Sequence, residues 1–186
     1  MMIIGLENSF GHFHGVGVKL GLNLLQLRQS GRIVFYEGLK KLPQLFEESE
    51  DDEELVKSIF SEVQRDVGDN TLVIVDQVSI LSSLGVRDKY VYLLCHHLAL
   101  LTASKQDSQL LLRLFDSSSY KGSLVNQVAA LSTLQISINS LETGQSKDVS
   151  GIMLISTHQT DPKMLQFKVL DKDVKVFAPG TSSAVL

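Results

Sequence analysis

The stretch that decides the fold is Thr71-Leu-Val-Ile-Val-Asp76, with a second apolar segment, Val78 to Leu84, directly behind it. Residues 71–75 form a short apolar run rich in β-branched side chains, and the turn signal Gly68-Asp-Asn70 precedes them. Such a run predicts a parallel strand that is buried on both faces. Ligands collect at the carboxyl ends of strands in open α/β sheets. Asp76 therefore indicates a nucleotide site, where it would hold Mg²⁺ beside a phosphate-binding glycine loop.

The glycine loop that Asp76 would need has no match in the sequence, because no segment fits G-x-x-x-x-G-K-[ST]. The segment Gly15-Val-Gly17-Val-Lys-Leu-Gly21 resembles a dinucleotide-binding loop, but its last glycine comes one position late and no strand precedes it at the required distance. A loosely packed surface helix is the alternative interpretation. Without backbone donors for a phosphate, a structural role for Asp76 is favoured, as a polar strand end or a helix cap. The pattern predicts an inactive α/β domain of the nucleotide-hydrolase type.

The histidines and the single cysteine do not form a metal-binding pattern. His96 and His97 are adjacent, so their side chains point about 100° apart on a helix, and His12 and His14 would face opposite sides of theirs. No Cys-x-x-Cys or His-x-x-x-His spacing supplies further ligands. Cys95 lies within an apolar helical segment and is interpreted as a small core residue. We predict no metal site.

A nucleophilic triad is not indicated either. Asp76, Ser79 and His97 supply the residue types, but no Gly-x-Ser-x-Gly elbow is present to position a serine. We therefore predict no catalytic residue and no cofactor.

Composition limits the class of protein. A chain of 186 residues with 44% hydrophobic residues has enough apolar material for one domain with a core. No apolar run approaches the roughly 20 residues that cross a bilayer, and the opening residues 1–6 are too short and uncharged for a secretory signal. One cysteine excludes an internal disulfide and is typical of a reducing compartment.

The negative net charge of −4 comes from one segment, Glu47 to Glu54, which holds seven of the 21 acidic residues. The other 14 acidic residues face 17 basic ones, which gives the remainder a charge of +3. The acidic segment precedes apolar residues at helical spacing, so it is either the solvated entrance of a helix or a patch that binds a partner. A mildly basic remainder is compatible with nucleic-acid contact but does not indicate it.

Strands and helices alternate over the first two-thirds of the chain, and the last third has the pattern of a β-meander. Between the second strand and the acidic segment, Glu37-Gly-Leu39 is predicted to form a turn. Predicted strands are Met2–Leu6, Ile33–Tyr36, Thr71–Val75, Leu110–Phe115, 134–139, Gly151–Ser156, Leu165–Val169 and Val174–Phe177. Predicted helices are Phe10–Leu20, Leu55–Val63, Lys89–Thr102 and one capped by Ser123 that runs to about Leu131.

Four segments together resemble the family of the sixth subunit of the eukaryotic Elongator complex. The resemblance covers nearly the whole chain and rests on the order of the four segments, since no single one is diagnostic. They are Ser9-Phe10 with Val16-Gly-Val-Lys-Leu-Gly21, then Gly31-Arg-Ile-Val-Phe-Tyr-Glu-Gly-Leu-Lys40, then Leu72-Val-Ile-Val-Asp-Gln-Val-Ser-Ile-Leu-Ser-Ser-Leu-Gly85, and the tail from Asp171 to Leu186.

The resemblance implies a RecA-like fold for residues 1–186 as a single domain without a Walker A motif. A mostly parallel central sheet flanked by helices would be followed by a C-terminal antiparallel meander. Asp76 would be a degenerate Walker-B-like position, since Gln77 follows where active nucleotide hydrolases often carry a second acid.

The resemblance also implies a function. Members of the family assemble with Elongator subunits four and five into a hetero-hexameric ring that binds tRNA and serves the catalytic subunits in wobble-uridine modification. This chain would be an accessory subunit without enzymatic activity, in the cytoplasm with the nucleus as an additional location, and not at a membrane. Two alternatives stay open. One is a weak NTPase in which Asp76 or Arg113 acts on a neighbour's nucleotide, and the other is a free-standing binding module.

One departure from the family concerns the start of the sequence. Relatives carry an additional strand and helix ahead of the position of Met1, so a short isoform or an incomplete gene model is expected. We expect this to leave strand 71–75 or strand 2–6 with an uncovered edge and the isolated chain with low stability.

Overall fold

The computed structural model describes residues 1–115, 124–141, 146–157 and 160–180, and it divides the chain into two compact units, Met1–Leu131 and Ser132–Leu186. That residues 1–186 form a single domain stays a prediction. The first unit contains β1 (Met2–Ile4), α1 (Phe10–Lys19), α2 (Leu24–Gln29), β2 (Val34–Tyr36), α3 (Gly38–Glu48), α4 (Asp52–Gln64), β3 (Leu72–Val75), α5 (Ser79–Ser83), α6 (Asp88–Ala103), β4 (Gln109–Leu112) and α7 (Leu124–Ala129). The second unit contains β5 (Leu134–Asn139), β6 (Gly151–Thr157), β7 (Lys163–Val169) and β8 (Val174–Phe177).

The four strands of the first unit form a parallel sheet in the order β2-β1-β3-β4. The predicted strand before Asp76 is confirmed as β3. Its residues Val73 and Val75 are fully buried, whereas Leu72 and Ile74 are half-buried, so one face of the strand is covered only in part. The expectation of an uncovered edge on β1 or β3 is wrong, because these are the two central strands and β2 and β4 form the edges.

Helices cover the two faces of this sheet with apolar stripes. On one face, α4 buries Leu55, Val56, Ile59 and Val63 at helical spacing, in one cluster with buried residues of α6. On the other face, the pair α1 and α2 packs Phe10, Phe13, Leu24 and Leu27 in one cluster with Ile3, Ile33 and Phe35. Each fully buried Leu, Val or Ile contributes roughly 1.5–3 kcal/mol.

Three helices were not anticipated from the sequence, namely α2, α3 and α5. The segment Glu37–Leu39, predicted as a turn, is the start of α3, which continues through Pro43. A proline inside a helix removes a hydrogen bond and argues against the helix. Burial of Leu42 and Leu45 on one face of α3 outweighs that local signal.

The second unit is an antiparallel sheet in the order β5-β6-β7-β8, which confirms the predicted meander. Its apolar alternation is present, but β5 is not half-buried as predicted. Leu134, Ile136 and Ile138 are each more than half exposed. Ser123, which is predicted to cap a helix, lies outside the described residues. None of the helices in the described part of the chain is long and apolar enough to cross a membrane.

Candidate functional site at the carboxyl ends of the parallel strands

Asp76 follows β3 directly and is almost completely buried, with 4% of its surface exposed. Its carboxylate accepts four hydrogen bonds from the loop after β1. Oδ1 accepts from the backbone N–H of Leu6 at 2.7 Å and of Glu7 at 3.2 Å. Oδ2 accepts from the backbone N–H of Asn8 at 2.8 Å and from the Asn8 side-chain amide at 3.2 Å. Asp76 therefore joins β3 to the loop between β1 and α1.

The loop can place its N–H groups around Asp76 because its ends are fixed. A Cβ atom on Gly5 would lie 2.5 Å from the Asn8 carbonyl oxygen and 2.5 Å from the ring of Phe35, so only glycine fits at the exit of β1. At the other end, the Ser9 hydroxyl caps α1 by accepting from the N–H of His12. Successive backbone N–H groups that converge in this way form an anion-binding concavity. Here the anion is the protein's own carboxylate.

Arg113 lies at the same edge of the sheet, just after β4. Its backbone N–H donates to the Val75 carbonyl and its carbonyl accepts from the Val78 N–H, at 3.0 and 2.9 Å. Its guanidinium Nη1 donates to Oε2 of Glu7 at 3.0 Å and to the Asp76 carbonyl at 3.3 Å. The Arg113 and Glu7 side chains are 58% and 40% exposed, so this ion pair contributes at most about 1 kcal/mol.

Glu7 is a site residue that the sequence does not predict. It carries no motif of its own, and only the pairing of β1 beside β3 brings it within reach of Arg113. The structure thus brings Glu7, Asn8, Asp76 and Arg113 together at the carboxyl ends of β1, β3 and β4.

Two further polar residues follow Asp76. Gln77 is 8% exposed, and its Oε1 has no hydrogen-bond partner among the residues that the structure describes. The Ser79 hydroxyl accepts from the Phe115 N–H at 3.1 Å and donates to the Phe115 carbonyl at 3.4 Å. The hydroxyl of Ser79 therefore ties α5 to the chain that follows β4.

The residue types of a triad do not assemble. The ring of His97 packs against Phe60 of α4, with 5.4 Å between the ring centroids, while the Ser79 hydroxyl bonds the main chain. Within the described ranges, no three His, Cys, Asp and Glu side chains are grouped closely enough to hold a metal ion. Cys95 is completely buried, and burial raises the pKa of its thiol to about 12.

The glycine-rich segment belongs to α1 and its turn. Gly15 and Gly17 lie inside the helix and Gly21 follows it with a φ of +80°. A Cβ on Gly17 would lie 3.0 Å from the Leu22 carbonyl oxygen and 3.0 Å from Cγ of Leu24. Gly17 is thus explained by close packing of the turn onto the helix, in agreement with the helical interpretation.

The acidic segment spans the end of α3 and the start of α4. The Asp51 carboxylate caps α4 by accepting from the N–H groups of Glu53 and Glu54, both at 2.9 Å. Asp52, Glu53 and Glu54 occupy the first turn, where negative charge is favoured by the helix dipole. This geometry supports the helix-entrance interpretation of the segment.

Comparisons with known proteins agree with the resemblance seen in the sequence. The relatives include Elongator complex protein 6 of Danio rerio, 30% identical, and those of Xenopus laevis and Homo sapiens, each 28% identical; each alignment covers 98% of this chain and 81% of the relative. Among solved structures, a KaiC-like protein of the hyperthermophilic archaeon Pyrococcus horikoshii superimposes with a TM-score of 0.59 at 11% identity, over 95% of this chain and 75% of that one. This likeness shows the RecA-like fold. The model of the family described as Elongation complex protein 6 matches residues 1–171, and the chain belongs to that family.

Proposed function

We propose that this chain is a non-catalytic subunit of the Elongator complex that acts in tRNA wobble-uridine modification. It would be one member of a ring of six RecA-like domains, together with Elongator subunits four and five, and the ring would bind tRNA for the catalytic subunits. The family match over residues 1–171 is the observation that carries this proposal. We place the assembly in the cytoplasm, with an additional nuclear pool.

The surroundings of Asp76 support the absence of catalysis. An acid that binds Mg²⁺ must offer a carboxylate oxygen to the ion. Both oxygens of Asp76 are engaged by the loop of residues 6–8, and the side chain is almost fully buried. The concavity of N–H groups that a phosphate would require is filled by the same carboxylate. This arrangement supports a role for Asp76 in holding the loop rather than a nucleotide.

Complementation in cells tests the proposal. The chain, carrying an affinity tag, is expressed in cells that lack their own subunit six. We expect co-purification of Elongator subunits four and five by mass spectrometry, and recovery of the wobble-uridine modification in total tRNA. Recovery of neither the subunits nor the modification, with the chain expressed in soluble form, would contradict the proposal.

The alternative is a weak NTPase with composite sites between neighbouring subunits. Arg113 favours it, because a 58% exposed guanidinium at the carboxyl edge of a RecA-like sheet could reach a neighbour's phosphate. ATP hydrolysis by the purified assembly separates the two functions. We expect the Arg113→Ala and wild-type assemblies to hydrolyse ATP at the same rate and to support equal tRNA modification. A large loss of hydrolysis in the variant, with assembly intact, would establish the alternative.

A further inference from the structure

The helix pair α1 and α2 exposes a group of large apolar residues at its tip. We call this group the hairpin surface. Its members lie in the last turns of α1, the connecting turn and the first turn of α2, and each is between 45% and 57% exposed. They are Val16, Val18, Leu20, Leu22 and Leu25. Val16 and Val18 face opposite sides of α1, and Leu20, Leu22 and Leu25 follow them at the tip. Large exposed apolar residues that are grouped on a soluble protein commonly mark a site of interaction.

The hairpin surface is not a poorly packed part of the core. The pair has its own inward side, where Phe10 and Phe13 meet the ring of Phe35 edge-on at centroid distances of 5.4 and 5.7 Å. The tip is held by a tight turn in which the Leu22 N–H donates to the Gly17 carbonyl at 2.7 Å. The exposed leucines are therefore presented by an ordered turn.

The charged residues of the segment that carries the hairpin surface, residues 8–36, are all basic. No acidic residue occurs from Asn8 to Tyr36, whereas Lys19, Arg28 and Arg32 are basic. Arg28 is partly engaged, since it lies 3.5 Å from Glu37 and stacks over the ring of Phe10. Lys19, in the last turn of α1, forms no ion pair within the part of the chain that the structure describes. A complementary surface would be apolar in its centre and acidic at its border.

These features favour a protein over RNA or a lipid surface. RNA sites without base-pair readout stack bases on exposed aromatic rings, but Phe10 and Phe13 are turned inward onto Phe35. Anionic membranes are bound by clusters of about 4–8 basic residues, and the tip itself holds only Lys19. An apolar centre beside a few charges is the arrangement of a protein–protein interface.

We propose that the hairpin surface docks on another Elongator subunit, at a patch of apolar residues bordered by Asp and Glu. This inference rests on the proposed function and names the part of the chain that makes the contact. The apolar residues would supply most of the affinity, while Lys19 would act mainly on the rate of association.

The test compares a variant of the hairpin surface with a control variant at an exposed leucine elsewhere in the first unit. Leu22→Asp with Leu25→Asp places charge on the hairpin surface, and Leu39→Asp is a control that is matched to Leu25→Asp. Leu25 and Leu39 are each 45% exposed and each is the second residue of its helix, where an aspartate is favoured by the helix dipole. Each variant is co-expressed with Elongator subunits four and five, and the amount of partner that it retains is quantified. The melting temperature of each purified variant is measured as well.

We expect the double variant to retain less than about a tenth of the partner that wild type retains, as loss of central interface residues does. The Leu39→Asp control should retain the wild-type amount. Full retention by the double variant, or equal loss in the control, would overturn the inference and leave the proposed function intact. No retention by wild type would overturn both. If the double variant assembles normally but the assembly loses tRNA binding, RNA is the occupant and the inference is wrong.

A further variant, Lys19→Glu, covers the case in which the double variant melts early. This variant keeps the apolar residues and reverses the charge of residue 19. We expect retention to fall several-fold at low salt and to approach the wild-type amount at about 0.5 M salt, because exposed charges are screened. Retention that is unchanged at both salt concentrations would contradict an acidic border on the partner.

Discussion

The two sheets of this protein differ in how far their apolar residues are buried. In the parallel sheet, Met2, Ile3 and Ile4 of β1 are at most 3% exposed, because helices cover both faces. In the antiparallel sheet, Leu134, Ile136 and Ile138 of β5 are more than half exposed. Parallel strands require crossover helices that cover them, whereas an antiparallel meander can form before anything covers its apolar side. A strand pattern therefore fixes the strand but does not decide how far its apolar face is buried.

The largest effect is expected from removing matched isoleucines in the two sheets. Ile4→Ala, at 1% exposure in β1, should lower the free energy of unfolding by about 2–5 kcal/mol, because a cavity is left in a packed core. Ile136→Ala, at 51% exposure in β5, should cost about 1 kcal/mol or less. Urea unfolding of the purified chain measures both. Equal losses would mean that the apolar side of the meander is covered in solution, and the contrast would then disappear.

An intermediate effect on the free energy of unfolding is expected when a buried aspartate and an exposed one are each replaced by asparagine. The Asp76 carboxylate accepts hydrogen bonds from the donors of Asn8, and Asp76→Asn replaces it with an amide that also donates. The change should lower the free energy of unfolding by about 1–3 kcal/mol. The matched change in the second unit is Asp148→Asn, since Asp148 is 67% exposed and 3.8 Å from Lys168. That change should stay within about 0.5 kcal/mol. If Asp76→Asn left the free energy of unfolding in urea unchanged, the loop of residues 6–8 would be held by other contacts.

The smallest effect concerns the surface of the first unit. Arg87 donates to Asp52 at 2.6 Å, and this side-chain hydrogen bond is the main reason that the pKa of Asp52 lies below its ordinary value of 3.8. A depressed folded-state pKa stabilises the protein above the unfolded-state value, and that contribution is lost as the pH falls through the folded-state value. Stability measured from about pH 6 to about pH 2 should fall slightly more steeply in wild type than in Asp52→Asn. If stability fell equally steeply with pH in both proteins, the pair of Arg87 and Asp52 would contribute nothing to the free energy of unfolding.

The sequence predicted the elements of the fold better than the contacts of the site. The β-branched run before Asp76 and the alternation after residue 134 are local patterns, and both strands were found. The helix α3 was not predicted. Pro43 is a local signal against a helix there, whereas the burial of Leu42 and Leu45 that stabilises the helix is decided by tertiary packing. A structural role for Asp76 followed from the missing glycine loop.

The partners of Asp76 could not be predicted in the same way. Leu6, Glu7 and Asn8 are 68 to 70 residues away from it in the sequence, and they bond through backbone N–H groups that every residue type except proline carries. No residue type marks such donors. Glu7 and Arg113 are 106 residues apart and meet only because β1 and β4 flank β3.

The bonds of Asp76 have a consequence for the order of events in folding. They cannot form until β1 and β3 have paired in parallel, which closes a loop of about 70 residues. Contacts between residues so far apart in the sequence form slowly. We therefore expect the bonds to be absent from the folding transition state. A contact that forms after the transition state acts on the rate of unfolding and leaves the rate of folding unchanged. The buried carboxylate would then slow unfolding and so prolong the lifetime of the native state once it has formed.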